Sequence, residues 1–249
     1  MTDPLLKLFG WRALVMQGDP LVYDRFIWLR RHLKPGPLRT LDAGCGNGAF
    51  TMYAARIGNE AVGLSFDEAN NRKAIARAAM LEIAGARFLP CDLRRLDMMR
   101  AELGQFDQMI CLETIEHIMD DRKLARDLAA MLKPGGRLFV STPYKNCPPL
   151  RGDKLSETED GGHVRWGYTH AEMRALLADA GLATTAEEFA SGVVMQRVTD
   201  LMRAASETSP TLGWAATFPL RGLRIADRPV TDALARPYLS IAVVAEKPR

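Results

Sequence analysis

Cysteine is scarce in this 249-residue chain: four residues, Cys45, Cys91, Cys111 and Cys147, stand far apart. No CxxC pair occurs. That argues against a zinc knuckle and fits a reducing cytoplasm better than a secreted disulfide scaffold. An excess of one charge is also missing. The 33 basic and 30 acidic residues leave a formal net charge of +3, too little to make nucleic acid the expected partner. No apolar run approaches the roughly 20 residues of a membrane span. The opening MTDPLLKLFGWRALVMQGDP carries an early acid and proline and does not read as a signal peptide. Low-complexity tracts, heptad runs and internal repeats are absent as well. What remains is ordinary soluble composition, 47% hydrophobic and 25% charged. The length suffices to bury about 70–75% of the unfolded surface without a disulfide or a metal.

Short apolar runs alternate with helical patterns, which predicts an α/β architecture around a parallel sheet. Strands are expected at 38–42, 60–65, 86–90, 106–112 and 137–142. Helices are expected at 49–57, at 68–84 with Gly85 as its stop, and at 121–132, stopped by Lys133-Pro134-Gly135-Gly136. Thr169 and Glu172 form a capping box for a helix that ends at Gly181. Residues 182–189 and 239–245 read as further strands. Between them, 193–205 is amphipathic and 206–237 is rich in Pro, Gly and Arg.

The strongest local signal is Leu41-Asp42-Ala43-Gly44-Cys45-Gly46-Asn47-Gly48-Ala49. A strand runs into three glycines and then a helix. Glycines permit a tight turn and close approach of backbone N–H groups to a ligand, and the helix N-terminus behind them favours an anionic group. Gly44, Gly46 and Ala49 also fit the loose dinucleotide pattern, but Asp42 discriminates against it. A carboxylate two residues before the first glycine repels a pyrophosphate and suits a ligand carrying an ammonium or a sulfonium.

The run LDAGCGNG resembles the first motif of class I S-adenosylmethionine-dependent methyltransferases. The resemblance continues in order through CDL at 91–93, FDQMICLETIEH at 106–117 and LKPGGRLFVSTP at 132–143, covering about residues 24–189. It implies a doubly wound, mostly parallel seven-stranded, Rossmann-like sheet with helices on both faces and an antiparallel strand near its edge. Asp42, Gly44, Cys45 and Gly46 then match the positions lining the methionine end of S-adenosylmethionine. Asp92 matches the acid that accepts from the adenine amino group, with Leu93 beside it. Leu112 and Glu113 fall beside the transferred methyl. The pattern departs at the end of the second strand, where an acid usually grips the ribose. Here Ser65 stands there and the first carboxylate is Asp67, which is equally suited to cap the following helix.

Methyl transfer from a sulfonium needs alignment, worth on the order of 7–11 kcal/mol in the best cases, and a nucleophilic acceptor. An oxygen acceptor needs a base or a metal. Glu113, Glu116 and His117 form an E-x-x-E-H array, placed on one face if a helical turn opens there. His163, in the loop GGHVRWGYT, is a candidate fourth member. The array resembles that of ubiquinone-biosynthesis O-methyltransferases and of small-RNA 2′-O-methyltransferases, which implies a divalent metal such as Mg. Without one, His117 serves as base, with Glu113 and His163 as the other catalytic candidates.

The expectation is therefore one cytoplasmic methyltransferase domain over 1–249 acting on a small molecule, most naturally at oxygen, with a homodimer as a conceivable assembly. Residues 1–30 are expected to form a helical segment folding over the cofactor, and 190–238 an insert contributing to the acceptor pocket. A metal-dependent RNA-end 2′-O-methyltransferase and a non-catalytic cofactor-binding scaffold are the rival readings.

Overall fold

The computed structural model describes residues 4–16 and 18–249. Helices α1 (Pro4–Phe9), α2 (Arg12–Met16) and α3 (Pro20–His32) precede β1 (Arg39–Ala43) and α4 (Ala49–Arg56). Next come β2 (Glu60–Ser65), α5 (Glu68–Met80), β3 (Ala86–Pro90), α6 (Leu96–Leu103) and β4 (Phe106–Leu112). Helix α7 (Asp121–Met131) leads into β5 (Leu132–Pro143), and α8 (His170–Asp179) into β6 (Ala183–Ala190). Helices α9 (Val193–Ser206), α10 (Pro210–Thr217) and α11 (Arg224–Ala233) separate β6 from β7 (Ser240–Glu246).

The seven strands form one sheet in the order β3-β2-β1-β4-β5-β7-β6. The first five pair in parallel, and β7 runs antiparallel to both β5 and β6. The sheet is apolar on both faces because each strand alternates between two cores. Met109 and Cys111 of β4 join Leu138 and Val140 of β5, and α7 and α8 cover them through Leu124, Leu128, Met173 and Leu177. Ile110, Phe139 and Val244 point the other way, beneath Trp28, Leu29 and Leu33 at the end of α3. Burial of helices on both faces leaves the C-terminal strand ends open, and the order reverses between β1 and β4. That crevice is where ligands bind in open α/β sheets.

Two local expectations are corrected. Helix α5 stops at Met80, four residues before the predicted end, because Glu82 takes a left-handed φ of 54°. Gly85 instead feeds β3, its carbonyl accepting from Ala61 N. The Lys133–Gly136 segment does not separate helix from strand: β5 already begins at Leu132 and absorbs the glycines through a register shift opposite Phe106/Gln108. The Pro/Gly/Arg-rich stretch 206–237, for which the sequence predicts no element, holds α10, a 3₁₀ turn at Pro219–Leu223, and α11.

Candidate active site

The glycine loop leaves β1 with Gly44, Gly46 and Gly48 all at positive φ, 91°, 50° and 84°. At Gly44 a side chain is excluded twice, by φ and by Thr114, whose Oγ1 lies 2.3 Å from where a Cβ would stand. At Gly46 nothing lies within 4 Å of that position, so the backbone borders open cleft. The cradle is narrower than the sequence suggests. Gly44 N and Cys45 N both donate to Leu64 O, at 3.0 and 2.8 Å, which ties the loop to β2. The Cys45 side chain turns inward against Gly63, and burial pushes its thiol pKa up. Only its backbone belongs to the turn.

Asp42 is corrected in position as well. It does not line the cleft but lies beneath the loop, buried, with Oδ2 accepting from Thr51 Oγ1 at 2.7 Å. Burial raises its pKa to about 7, and the hydrogen bonds from the Thr51 hydroxyl and backbone only partly offset that. Its charge is therefore held at a cost that a nearby cation would offset.

The cleft has a volume of about 230 Å³ and is bordered by Gly44, Gly46, Ser65, Phe66, Asp92, Leu93, Glu113 and His117. Ser65 accepts from Asp67 N at 3.3 Å, and Asp67 Oδ1 accepts from Ala69 N and Asn70 N. Asp67 is thus the N-cap of α5, and it is Ser65, with Asn70, that faces the cleft. Both oxygens of Asp92 accept from the Arg94 guanidinium, Oδ1 also from Arg94 N, and Arg94 reaches Glu159 as well. These hydrogen bonds hold the Asp92 carboxyl below its ordinary pKa. Leu93 borders the cleft, but the Leu112 side chain does not: it packs beneath α3.

The E-x-x-E-H array does not lie on one helical face. Glu113 leaves β4 at a left-handed φ of 48°, and the turn that follows, Ile115–His117, is 3₁₀. Glu113 is consequently turned away from the other two. Its Oε1 accepts from Ser141 Oγ at 2.8 Å, and its Oε2 pairs with Arg25 of α3 at 3.2 Å. Glu116 is fully buried, with Oε2 accepting from Thr142 at 3.2 Å and Oε1 without any partner. Burial and the nearby Glu113 charge raise its pKa well above the ordinary carboxylate value. His117 Nδ1 donates to Gly162 O at 2.9 Å. A carbonyl can only accept, so the neutral ring keeps its proton on Nδ1 and its lone pair on Nε2. That Nε2 lies 4.0 Å from Glu116 Oε1. The His163 ring stands edge-on to His117 with centroids 4.7 Å apart, and burial beside His117 lowers its pKa.

Glu116, His117 and His163 each offer a ligand atom, all within 4.8 Å of one another. One ion with bonds of about 2 Å spans that set with the ligands drawn slightly inward. The orphaned Oε1 of Glu116 supports the fit, since a buried oxygen without a donor is costly. Glu113 falls outside the set.

A second cavity of about 130 Å³ adjoins the first, and Glu113 borders both. Its walls include Leu21, Arg25, Tyr144, Leu150, His163, Trp166 and Arg203. Helix α3 therefore faces this cavity, and none of the described N-terminal helices borders the glycine-loop cleft. Residues 190–238 reach it through Arg203, which pairs with Asp153 at 2.6 Å. Arg25, Thr51, Phe66 and Glu159 carry no sequence motif. Only Phe66, an aromatic just past a strand's C-terminal end and 70% exposed, had a positional signal.

A protein-family model described as a methyltransferase domain matches residues 21–187. The chain is 34% identical over 194 residues to a ubiquinone biosynthesis O-methyltransferase of Xanthomonas axonopodis pv. citri (strain 306), covering 74% of this chain and 77% of that protein. A protein of the same name from Stutzerimonas stutzeri (strain A1501) is 34% identical over 125 residues, 49% of this chain and 51% of its own length. In fold the chain is similar to a putative sarcosine dimethylglycine methyltransferase from Galdieria sulphuraria, with TM-score 0.62, 16% identity, and 98% and 95% of the two chains covered. It is equally similar to the [4+2]-cyclase SpnF, with TM-score 0.62, 20% identity, and 91% and 82% covered. One fold thus hosts unlike reactions, and it is the sequence match that decides: the chain belongs to the class I S-adenosylmethionine-dependent methyltransferases.

Proposed function

We propose that this enzyme methylates a hydroxyl oxygen of a small molecule seated in the His163 cavity, with S-adenosylmethionine in the glycine-loop cleft. The observation that carries the reading is the junction. Glu113 borders both spaces, and His117, with its free Nε2, stands on the cleft side of it. Relatives named as O-methyltransferases support oxygen as the acceptor.

The open space at Gly46 and the buried, cation-seeking Asp42 beneath the loop fit the methionine end of the cofactor. Asp92 is the acid placed for the adenine amino group, which would share its oxygens with the Arg94 donors that already occupy them, and Ser65 is the residue placed for the ribose. Bound there, the cofactor supplies a methyl on a cationic sulfur that leaves as a neutral thioether. The chain's own task is alignment and removal of the acceptor proton. Nδ1 of His117, held by Gly162 O, fixes the ring so that Nε2 can take that proton. Glu113, held by Arg25 and Ser141, keeps the wall between the spaces in place. A divalent ion held by Glu116, His117 and His163 would lower the acceptor's pKa and free it from the need for a base.

A small acceptor, rather than an RNA end, suits a cavity of about 130 Å³. The free thiols suit a cytoplasmic setting. The deciding experiment is a screen with labelled cofactor over phenols, catechols and amines, with and without chelator. Transfer to a hydroxyl that falls on His117→Ala supports the reading. Transfer confined to amines overturns it.

A further inference from the structure

On the far side of α3 the N-terminal helices and the Pro219–Leu223 turn enclose another cavity, about 250 Å³, which shares no lining residue with the glycine-loop cleft. Its walls are apolar at Met16, Pro20, Met195 and Phe218, and two guanidiniums, Arg221 and Arg224, border it. The two differ. Arg224 is paired with Asp24 at 3.1 Å and lies over the Tyr23 ring. Arg221 forms no ion pair among the described residues. It donates to Met16 O and, at 2.6 Å, to Gly18 O, while its Nε is buried with no partner among the described residues. Burial lowers its pKa, and the Asp19 charge only partly offsets that. Asp19 is already engaged as the N-cap of α3. A half-buried guanidinium held by two carbonyls, with no carboxylate in contact among the described residues, is suited to receive an anion.

A smaller cavity of about 130 Å³ continues from it, sharing Met16 and Phe218 and otherwise bordered by Leu5, Phe9, Ala13 and Trp214. The Trp214 Nε1 is a second buried donor without a partner. Both orphaned groups in this region are donors, and the two spaces run from a cationic end to a wholly apolar one. We propose that they form a binding site for a single amphipathic anion, a carboxylate or phosphate monoester on a short apolar chain. The head group would sit on Arg221, whose planar fork matches an oxyanion, and the chain would run past Met16 and Phe218.

Titration calorimetry of the full-length protein with octanoate, octyl phosphate and octanol tests this, with S-adenosylhomocysteine binding as the measure of an intact fold. The expected result is binding of both anions but not of octanol, unaffected by saturating S-adenosylhomocysteine. Arg221→Met should weaken the anions about tenfold or more, and Arg221→Lys, which keeps the charge, should weaken them less. Equal binding of octanol, unchanged affinity in Arg221→Met, or competition with S-adenosylhomocysteine would each overturn the site. So would sedimentation with anionic phospholipid vesicles by a chain that binds neither soluble anion.

Discussion

Glu116 Oε1 is buried without a donor, 4.0 Å from the Nε2 of a histidine whose tautomer a backbone carbonyl fixes. The proposed chemistry turns on that pair at the level of single residues. Replacing His117 by Ala should lower kcat by about 10²–10⁴-fold, the usual range for a general base, and leave S-adenosylhomocysteine affinity within a few-fold; steady-state kinetics beside calorimetry reads both. Asp42 yields a pH prediction. Its carboxyl ionises at 3.8 in the unfolded chain and at about 7 in the empty fold. Its contribution to stability is thus complete below pH 4 and is lost as pH rises to 7, at up to about 1.4 kcal/mol per pH unit. A cationic ligand reverses the preference, so S-adenosylmethionine should bind more tightly as pH rises through 7. In Asp42→Asn both dependences should flatten, as measured by urea unfolding and by calorimetry across that range. The importance of Asp42 is legible in the sequence, two residues before Gly44. Its burial is not, because Thr51, its partner, comes from the following helix with no motif to mark it.

Among the elements, β4 was readable to the residue because its apolar run is unbroken, whereas its exit was not. Nothing in LETIEH announces that Glu113 turns left-handed and faces α3 rather than His117. The Arg25–Glu113 pair is only 17% and 16% exposed, so removing one partner strands a poorly hydrated charge. Arg25→Leu should cost about 1–3 kcal/mol in urea unfolding, and Arg25→Leu with Glu113→Gln should recover part of that loss. The amphipathic stretch 193–205 marks α9, which spans Val193–Ser206, but its cap defeats local reading for a related reason. Gly192 gives α9 no side-chain cap of its own; Asp227 of α11 supplies one, accepting from Gly192 N at 2.6 Å and Met195 N at 3.0 Å. A cap from 35 residues away leaves no trace in a window of neighbours. Asp227→Ala should destabilise by about 1–2 kcal/mol, read as a shift in the unfolding midpoint without a change in slope.

Across the whole molecule, two apolar faces commit the sheet to helices on both sides and leave function to the strand ends. The glycine-loop cleft lies there, where β1 and β4 part. The alternation of short strands and helices made that architecture readable, and the ordered motifs carried the cofactor class. The division of labour between the cleft and the neighbouring cavity was not readable, since α3, the 143–168 loop and α9 meet only in three dimensions. The account rests on the methyl donor lying against the Gly44–Gly46 turn above Asp42. Calorimetry of S-adenosylmethionine into the unaltered protein and Gly46→Val tests it most directly, since a valine there projects into the open cleft. Micromolar binding that falls at least tenfold in the variant is the result expected; no binding by the unaltered protein, or equal binding by both, would contradict it.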